Sequence, residues 1–304
     1  MTKVSTDTCD VPGREIPSAI ADMRALAVRA LPQMYLPDHG MFAFRVRRTG
    51  TGRQLEGVSR RYTAIVLIGL AGEDDALAEE ILHGSQPADV CRRLLDESST
   101  TDNLGDVALM LWAATAWHLQ ESFRVRDRLF QLQPLDGLHP TVELAWALAA
   151  LSLDPGTSSC DDELRQKIAD RIKSSFVAKS GLFSHWPPDA QRSRLRAHVS
   201  CFADLVYPIH ALAQYYVRTG DHEAIAIARQ CARTVCDLQG SEGQWWWHYD
   251  VRTGRIVERY PVYAVHQDAM APMALFALQD ACGDDFGAAI KKGIEWLRNP
   301  PELP

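Results

Sequence analysis

Two adjacent segments, TDNLGDVALMLWAATAW (residues 101–117) and QESFRVRDRLFQL (residues 120–132), decide the fold class of this chain. The first segment is apolar almost all round, which is typical of a helix that is buried on every side. The second has apolar residues at helical spacing on one face and charged residues on the other. Together they predict a helical hairpin made of one buried helix and one surface helix.

The same alternation recurs along the chain and predicts an all-α protein. A leading helix opens behind Ser18 and closes near Pro32, and five apolar helices then each precede an amphipathic partner. We predict the five apolar helices at residues 59–71, 103–117, 139–152, 198–217 and 266–280. Repeated hairpins of this kind form an (α/α) toroid of about five to six hairpins, with inner and outer helix rings around a central cavity.

The domain organisation follows from the absence of any linker or shift in composition. We expect a flexible segment at residues 1–17, one domain at 18–298 and a short tail at 299–304.

Ser59 and Asp102 precede two of the apolar helices, where such side chains cap the backbone N–H groups of the first turn. The segment DVRTGRIVE predicts a short β-hairpin with Thr253 and Gly254 at its tip.

Composition excludes several classes of protein. The chain has 46% apolar and 23% charged residues, and its net charge of −7 with scattered basic side chains argues against nucleic acid as a partner. No apolar run approaches the roughly 20 residues of a membrane span, and the first residues lack a signal-peptide pattern. We therefore expect a cytoplasmic protein. The pattern does not indicate an oligomeric state.

The segment QGSEGQW, from Gln239 to Trp245, adds a motif to this architecture. With the alternating helices, it resembles the α/α-toroid superfamily, which includes terpenoid cyclases, protein prenyltransferase β-subunits, six-hairpin glycosidases and sugar epimerases. The resemblance covers residues 18–298 as a pattern and implies that Trp245 packs between hairpins. It implies the fold more strongly than any one activity.

In a toroid the inner helices run in one direction, so their N-terminal ends meet at one mouth of the ring. Polar side chains at these predicted ends are Arg60, Arg61, Asp102, Asp106, His139, His198, Cys201, Asp204, His266, Gln267 and Asp268. From this set we predict acid–base catalysis by His266 and Asp268, with His198, Asp204 and Asp106 as further catalytic candidates. Arg60 and Arg61 are candidates for holding an acidic sugar or a phosphate.

The aromatic segment before residue 266 is the second candidate region. Three consecutive tryptophans cannot share one surface, so we assign Trp245 to the core and Trp246 or Trp247 to a substrate site. Predicted substrate-binding residues at the cavity mouth are Trp246, Trp247, His248, Tyr249, Asp250, Tyr260, Tyr263 and Gln267. Their flat rings suit either a sugar face or an isoprenoid cation.

Three functions remain open at this stage. The first is an enzyme that acts on a carbohydrate as a hydrolase, lyase or epimerase and needs no cofactor. The second is a terpenoid cyclase or prenyltransferase-like enzyme, in which Cys201, His198, His266 and Asp268 form a permissible zinc ligand set, although we expect no stoichiometric metal. The third is a toroid that binds a small molecule or serves as a scaffold without catalysis.

Overall fold

The computed structural model describes residues 15–50, 52–154, 159–190, 196–261 and 265–298, and α-helices dominate this part of the chain. In chain order the helices are α1 (Glu15–Ala30), α2 (Arg60–Leu70), α3 (Asp75–Ile81), α4 (Pro87–Asp96), α5 (Leu104–Ala116), α6 (Ser122–Gln131), α7 (Thr141–Leu153), α8 (Ser159–Ser174), α9 (Ala203–Thr219), α10 (His222–Asp237), α11 (Ala271–Cys282) and α12 (Gly287–Arg298). The predicted all-α class is confirmed.

Short strands form three small antiparallel sheets within the described residues. The strands are β1 (Tyr35–Leu36), β2 (Met41–Thr49), β3 (Gly52–Ser59), β4 (Phe176–Val177), β5 (Leu182–Phe183), β6 (Val199–Cys201), β7 (Trp246–Asp250) and β8 (Arg255–Pro261). Their orders are β1–β2–β3, β4–β5 and β6–β7–β8. The predicted hairpin around Thr253 and Gly254 is present as β7–β8, whereas the longer β2–β3 hairpin was not predicted.

The helices are arranged as the apolar pattern predicts. Helices α2, α5, α7, α9 and α11 each pack on the next, and they alternate along the chain with the amphipathic helices α3 and α4, α6, α8, α10 and α12. Most residues of α5 and α7 are buried, because both helices pack against neighbours on several sides. Inner and outer rings are therefore confirmed as the basis of the fold.

Two inner helices begin later than the sequence predicts. Residues 199–201 pair with β7 as strand β6, so α9 starts at Ala203 instead of residue 198. A π-helical turn at His266–Met270 precedes α11, which starts at Ala271. The small sheets thus sit on the segments that enter the inner helices: β3 runs into α2, β6 leads into α9, and β8 comes before α11.

The caps explain why two of these helices start where they do. Ser59 accepts a hydrogen bond from the Tyr62 N–H at 3.1 Å, so its predicted capping role is confirmed. The prediction for Asp102 is wrong: Asn103 caps α5, because its Oδ1 accepts from the Asp106 N–H at 2.9 Å. The Asp102 side chain is 96% exposed and pairs with Arg128 instead.

The QGSEGQW segment, which follows α10, is hydrogen-bonded to α12 of the next hairpin. Gln239 donates from Nε2 to the carbonyl oxygens of Gly243, at 2.8 Å, and of Ala289 in α12, at 3.0 Å. Trp245 is fully buried, and its indole lies so close to Gly293 that a Cβ there would be 2.8 Å from Nε1. The predicted packing role of Trp245 is therefore confirmed.

The ring interior is filled at one level by two stacked side chains. Trp112 of α5 stacks on His210 of α9, with ring centroids 5.2 Å apart and an interplanar angle of 22°. This stack joins two inner helices that both pack on α7. A cavity lies at the end where α2 and α5 begin.

Candidate active site

Polar side chains link the first turns of three consecutive inner helices. The Arg61 guanidinium of α2 donates from Nε to Asp106 Oδ1 at 2.7 Å and from Nη2 to Asn103 Oδ1 at 3.0 Å, both at the start of α5. Asn103 then donates from Nδ2 to Glu143 Oε1 of α7 at 2.8 Å. The predicted convergence of inner-helix N-terminal ends is therefore present as a hydrogen-bonded chain.

A histidine–carboxylate pair continues this chain at the fourth inner helix. His185, in the segment between β5 and β6, places Nδ1 2.9 and 3.0 Å from the two carboxylate oxygens of Asp204. Asp204 is completely buried in the first turn of α9, and its Oδ2 also accepts from the Cys201 N–H at 2.9 Å. Two hydrogen bonds thus hold a buried carboxylate against an imidazole whose side chain is 37% exposed.

The surroundings of His185 favour its protonated form. The hydrogen bond with Asp204 raises the pKa of the imidazole, burial lowers it, and the charges of Asp204 and Glu143 raise it further. Among the described residues, the Nε2 atom of His185 has no hydrogen-bond partner. His185 is therefore an oriented imidazole with a raised pKa that can exchange a proton through Nε2.

Aromatic rings lie beneath the arginine of this network. The Arg61 guanidinium carbon is 5.0 Å from the centroid of Trp146, and Tyr207 contacts the same indole edge-on at 5.1 Å. Gly105 makes this packing possible, because a Cβ at that position would come within 2.7 Å of Trp146. Burial raises the pKa of Tyr207, and the Arg61 charge opposes that rise.

A cavity of about 580 Å³ opens beside this network. Its walls include Arg61 and Asp106, together with the aromatic side chains of Phe44 and Tyr62. Arg60 also lines the cavity and donates to Glu97 Oε2 from Nε at 3.1 Å and from Nη2 at 2.7 Å. The site therefore combines ion-paired arginines, carboxylates and flat rings, a set that suits a ligand rich in hydroxyl groups.

The predicted catalytic candidates divide between this network and the rest of the chain. Asp106 and Asp204 both belong to it, whereas the candidate His198 forms no hydrogen bond to it among the described residues. His198 precedes β6, and its carbonyl accepts from the Val251 N–H at 2.9 Å. His185 occupies the place beside Asp204 because the β4–β5 turn returns the chain to the start of α9.

Three predicted substrate-binding residues lie in the core instead. Tyr249 is fully buried, and its hydroxyl oxygen accepts from the Trp246 N–H at 3.3 Å. Trp246 is 7% exposed and donates from Nε1 to the Leu238 carbonyl at 2.9 Å. Gln267 is also fully buried, and its amide exchanges two hydrogen bonds with the Trp245 backbone, each 3.1 Å long. These side chains stabilise the fold and have no surface to offer a substrate.

The other residues of the predicted aromatic region lie on the β7–β8 hairpin. Trp247 and Tyr260 are 40% and 57% exposed, with ring centroids 6.2 Å apart. His248 pairs with Glu258 on the neighbouring strand. Asp250 accepts from the Arg252 side chain at 3.1 Å in the hairpin turn, which lowers the pKa of the Asp250 carboxyl. Trp247 and Tyr260 are thus the members of this group that present a ring surface.

Other predicted positions lie beyond the described part of the chain. The backbone places His266 and Asp268 on the π-helical turn before α11, but their side chains are outside the described residues, as is Tyr263. Burial, followed by the charge of Asp204, raises the pKa of the Cys201 thiol to about 12. Among the described residues, no group of three His, Cys, Asp or Glu could hold a metal ion.

Glu143, His185 and Asn103 are site residues that sequence reasoning missed. Glu143 had a signal, since it is the one carboxylate in the otherwise apolar segment TVELAWALAALSL. His139, the predicted candidate at that helix, has its Nε2 2.8 Å from the Leu132 carbonyl instead. His185 lies in the long connection SGLFSHWPPDAQRSRLRA, whose length indicates a functional loop.

The fold and this arrangement of polar residues define an α/α-toroid protein. The chain is similar to a crystal structure of an unsaturated glucuronyl hydrolase specific for heparin, with a TM-score of 0.65, 15% identity, and coverage of 91% of this chain and 82% of that one. A sugar epimerase from a ruminal bacterium gives a TM-score of 0.65 at 11% identity, covering 92% and 86% of the two chains. Cellobiose 2-epimerase from Bacillus thermoamylovorans gives 0.63 at 10% identity, covering 91% and 87%.

These similarities establish the fold. The structures named here represent the glycosidase and epimerase side of the predicted resemblance and give no support to the terpenoid cyclase side. No protein-family model matches the chain, and a search of curated proteins found no similar sequence. In the part of the chain that the structure describes, none of the helices has the length and apolar character needed to cross a bilayer.

Proposed function

We propose that this protein is an enzyme that acts on a carbohydrate by acid–base chemistry at the mouth of the toroid. The observation that carries the proposal is the His185–Asp204 pair, whose nitrogen-to-oxygen distances are 2.9 and 3.0 Å, beside Glu143 and the Arg61–Asp106 ion pair. Burying several charged groups at one place costs free energy unless they are paired or used, and acid–base sites are built in this way.

We propose a different role for each group. His185 exchanges the proton, because Asp204 fixes its Nδ1 side and leaves Nε2 to the substrate. Glu143 supplies the second acid–base group, and Asn103 orients it through Oε1. Asp106 holds Arg61 in place at 2.7 Å, and Arg61 presents its remaining N–H groups to substrate oxygens.

The fold neighbours support a sugar as the substrate. These neighbours are a glucuronyl hydrolase and two sugar epimerases, all with TM-scores above 0.6. The same pair of acid–base groups can serve hydrolysis, elimination or epimerisation, since each reaction needs one proton donor and one acceptor. A sugar substrate and two acid–base groups are therefore compatible with all three reactions, and experiment decides among them.

One experiment separates the three reactions. The purified protein is incubated with a panel of di- and oligosaccharides in D₂O, and the products are followed by NMR and mass spectrometry. Hydrolysis adds one water for each bond broken, whereas elimination produces an unsaturated sugar without adding water. Epimerisation by proton exchange leaves every bond between sugars intact and places deuterium on the inverted carbon. If no sugar is bound or changed, the proposal is wrong.

Variants then test the assigned residues. His185→Gln and Asp204→Asn should each lower turnover by about 10²-fold or more, the usual scale for a general acid or base. His222→Gln is the matched control, because His222 begins the outer helix α10 and takes no part in the network. If His185→Gln keeps full turnover while remaining folded, the catalytic assignment is refuted.

A further inference from the structure

Two exposed aromatic side chains form a flat surface at the cavity. Phe44 of β2 and Tyr62 of α2 stack with ring centroids 5.6 Å apart and an interplanar angle of 17°. They are 51% and 43% exposed, and both line the cavity that also contains Arg61. We call this pair the α2 platform.

The α2 platform is fixed by its surroundings. The Ser59 cap holds the Tyr62 backbone at the first turn of α2. Gly57 has φ +66°, and a Cβ there would lie 3.2 Å from Phe44 Cβ, so glycine is needed opposite this ring. The backbone positions that carry both rings are therefore constrained without a ligand, which lowers the entropy cost of binding.

A second exposed pair lies on the β7–β8 hairpin. Trp247 and Tyr260, described above, form what we call the β7 platform. The Trp247 carbonyl accepts from the Phe202 N–H at 2.9 Å, and Phe202 is two residues before Asp204. The β7 platform is therefore attached to the same short segment that fixes the buried carboxylate beside His185.

The order of the inner ring relates the two platforms. The network runs from α2 through α5 and α7 to α9, since each of these helices contributes one of its groups. The α2 platform lies at the first helix of this arc, and the β7 platform is bonded to the start of the last. The two ring surfaces are thus attached to the two ends of the arc that carries the acid–base groups.

The four rings are exposed in two pairs, and a pair of rings forms a larger apolar patch than a single exposed ring such as Phe123. Flat rings beside hydrogen-bonding groups suit the apolar face of a pyranose, which stacks on aromatic carbon while its hydroxyl groups bond to polar residues. A single sugar ring does not need two separate surfaces. The pair of platforms indicates a ligand with several rings.

We infer that the substrate is an oligosaccharide, with one sugar ring on the α2 platform, another on the β7 platform and the reacting unit between them. This inference rests on the proposed function and adds the substrate length to it. The platforms are binding surfaces that determine length specificity and take no part in proton transfer.

The test compares a series of oligosaccharides of the same sugar, from the shortest that reacts to the longest available. In the wild-type protein, kcat/KM should rise with length. The double variants Phe44→Ala/Tyr62→Ala and Trp247→Ala/Tyr260→Ala should each lower kcat/KM for the longest substrate by about tenfold, the scale of a ring-stacking interaction. For the shortest substrate that reacts, removing one platform should change kcat/KM much less.

Two controls keep the result interpretable. Phe123→Ala removes a ring that is 53% exposed on the outer helix α6, so it should leave the length series unchanged. Tyr62→Phe and Trp247→Phe keep a ring at each platform and should preserve the rise of kcat/KM with length. Melting temperatures check that each variant is folded.

The outcomes separate this inference from the proposed function. If the wild-type protein converts sugars but both double variants keep the full length series, the platform inference is wrong and the proposed function stands. An equal loss for short and long substrates also contradicts the inference. If calorimetry shows that Asp204→Asn binds none of the oligosaccharides, and the wild-type protein converts none, both proposals fail.

Discussion

The His210 side chain allows a quantitative test of whether the ring interior is closed to water. His210 is 5% exposed, and its ring stacks on Trp112. Within the described part of the chain, its Nδ1 has no hydrogen-bond partner. Burial lowers the pKa of His210 from 6.5 to about 4. The folded protein therefore keeps this histidine neutral at pH values where the unfolded chain already protonates it.

The sign and size of the effect follow from this difference. Because the folded pKa is lower than the unfolded one, His210 costs no stability above about pH 6.5 and destabilises the fold progressively as pH falls toward 4. A shift of one pKa unit corresponds to about 1.4 kcal/mol, so the loss across this window is about 3 kcal/mol. His185 has the opposite sign, because its pKa is raised: its contribution is present below about pH 6.5 and is lost as pH rises through the folded value.

The perturbation is His210→Phe, which keeps a flat ring against Trp112 and removes the titrating group. Urea unfolding followed by circular dichroism gives the free energy of unfolding at about pH 7.5 and about pH 4.5 for both proteins. The wild-type protein should lose about 2 to 3 kcal/mol more than the variant between the two pH values. An equal loss in the two proteins would refute the reasoning and show that water reaches this histidine in the folded state.

Two further predictions concern packing and pH. In urea titrations, Gly105→Ala should lower the free energy of unfolding by about 1–3 kcal/mol, because the added Cβ would lie 2.7 Å from Trp146. Gly69→Ala in α2 is the control: its added Cβ meets nothing within 4 Å, so the substitution should be neutral or stabilising. In the pH profile of kcat/KM, the limb that reports the titration of His185 should lie above about pH 6.5. In the residual activity of Asp204→Asn this limb should move to lower pH, because the hydrogen bond that raises the His185 pKa is weakened. A limb that does not move would show that another group titrates.

The helical architecture could be predicted from the sequence because it depends on local periodicity. A helix that is enclosed on every side must be apolar all round, so segments such as residues 103–117 indicate their place in the inner ring without knowledge of their neighbours. The Ser59 cap and the Thr253–Gly254 turn are local in the same sense. The β2–β3 hairpin was missed, because its exposed and charged strands carry little periodic signal.

Part of the site could also be predicted from the sequence. Once inner helices are predicted, their N-terminal ends must lie at one mouth, and this placed Arg61, Asp106 and Asp204 in the site. Glu143 followed from the same rule but was passed over in favour of His139 four residues earlier. For these residues, the position on their own helix decides whether they lie at the mouth of the ring.

The tertiary structure alone decided which residues meet across the chain. Asp204 pairs with His185, 19 residues away in sequence, because a β-turn and strand β6 return the chain to the same point. The irregular register of β7 buries both Trp246 and Tyr249, although strict alternation along a strand would put them on opposite faces. Periodicity is a property of one segment, whereas these contacts depend on loop paths and strand register. The sequence by itself therefore determined which helices are inner and which are outer. The tertiary structure determined which side chains contact one another.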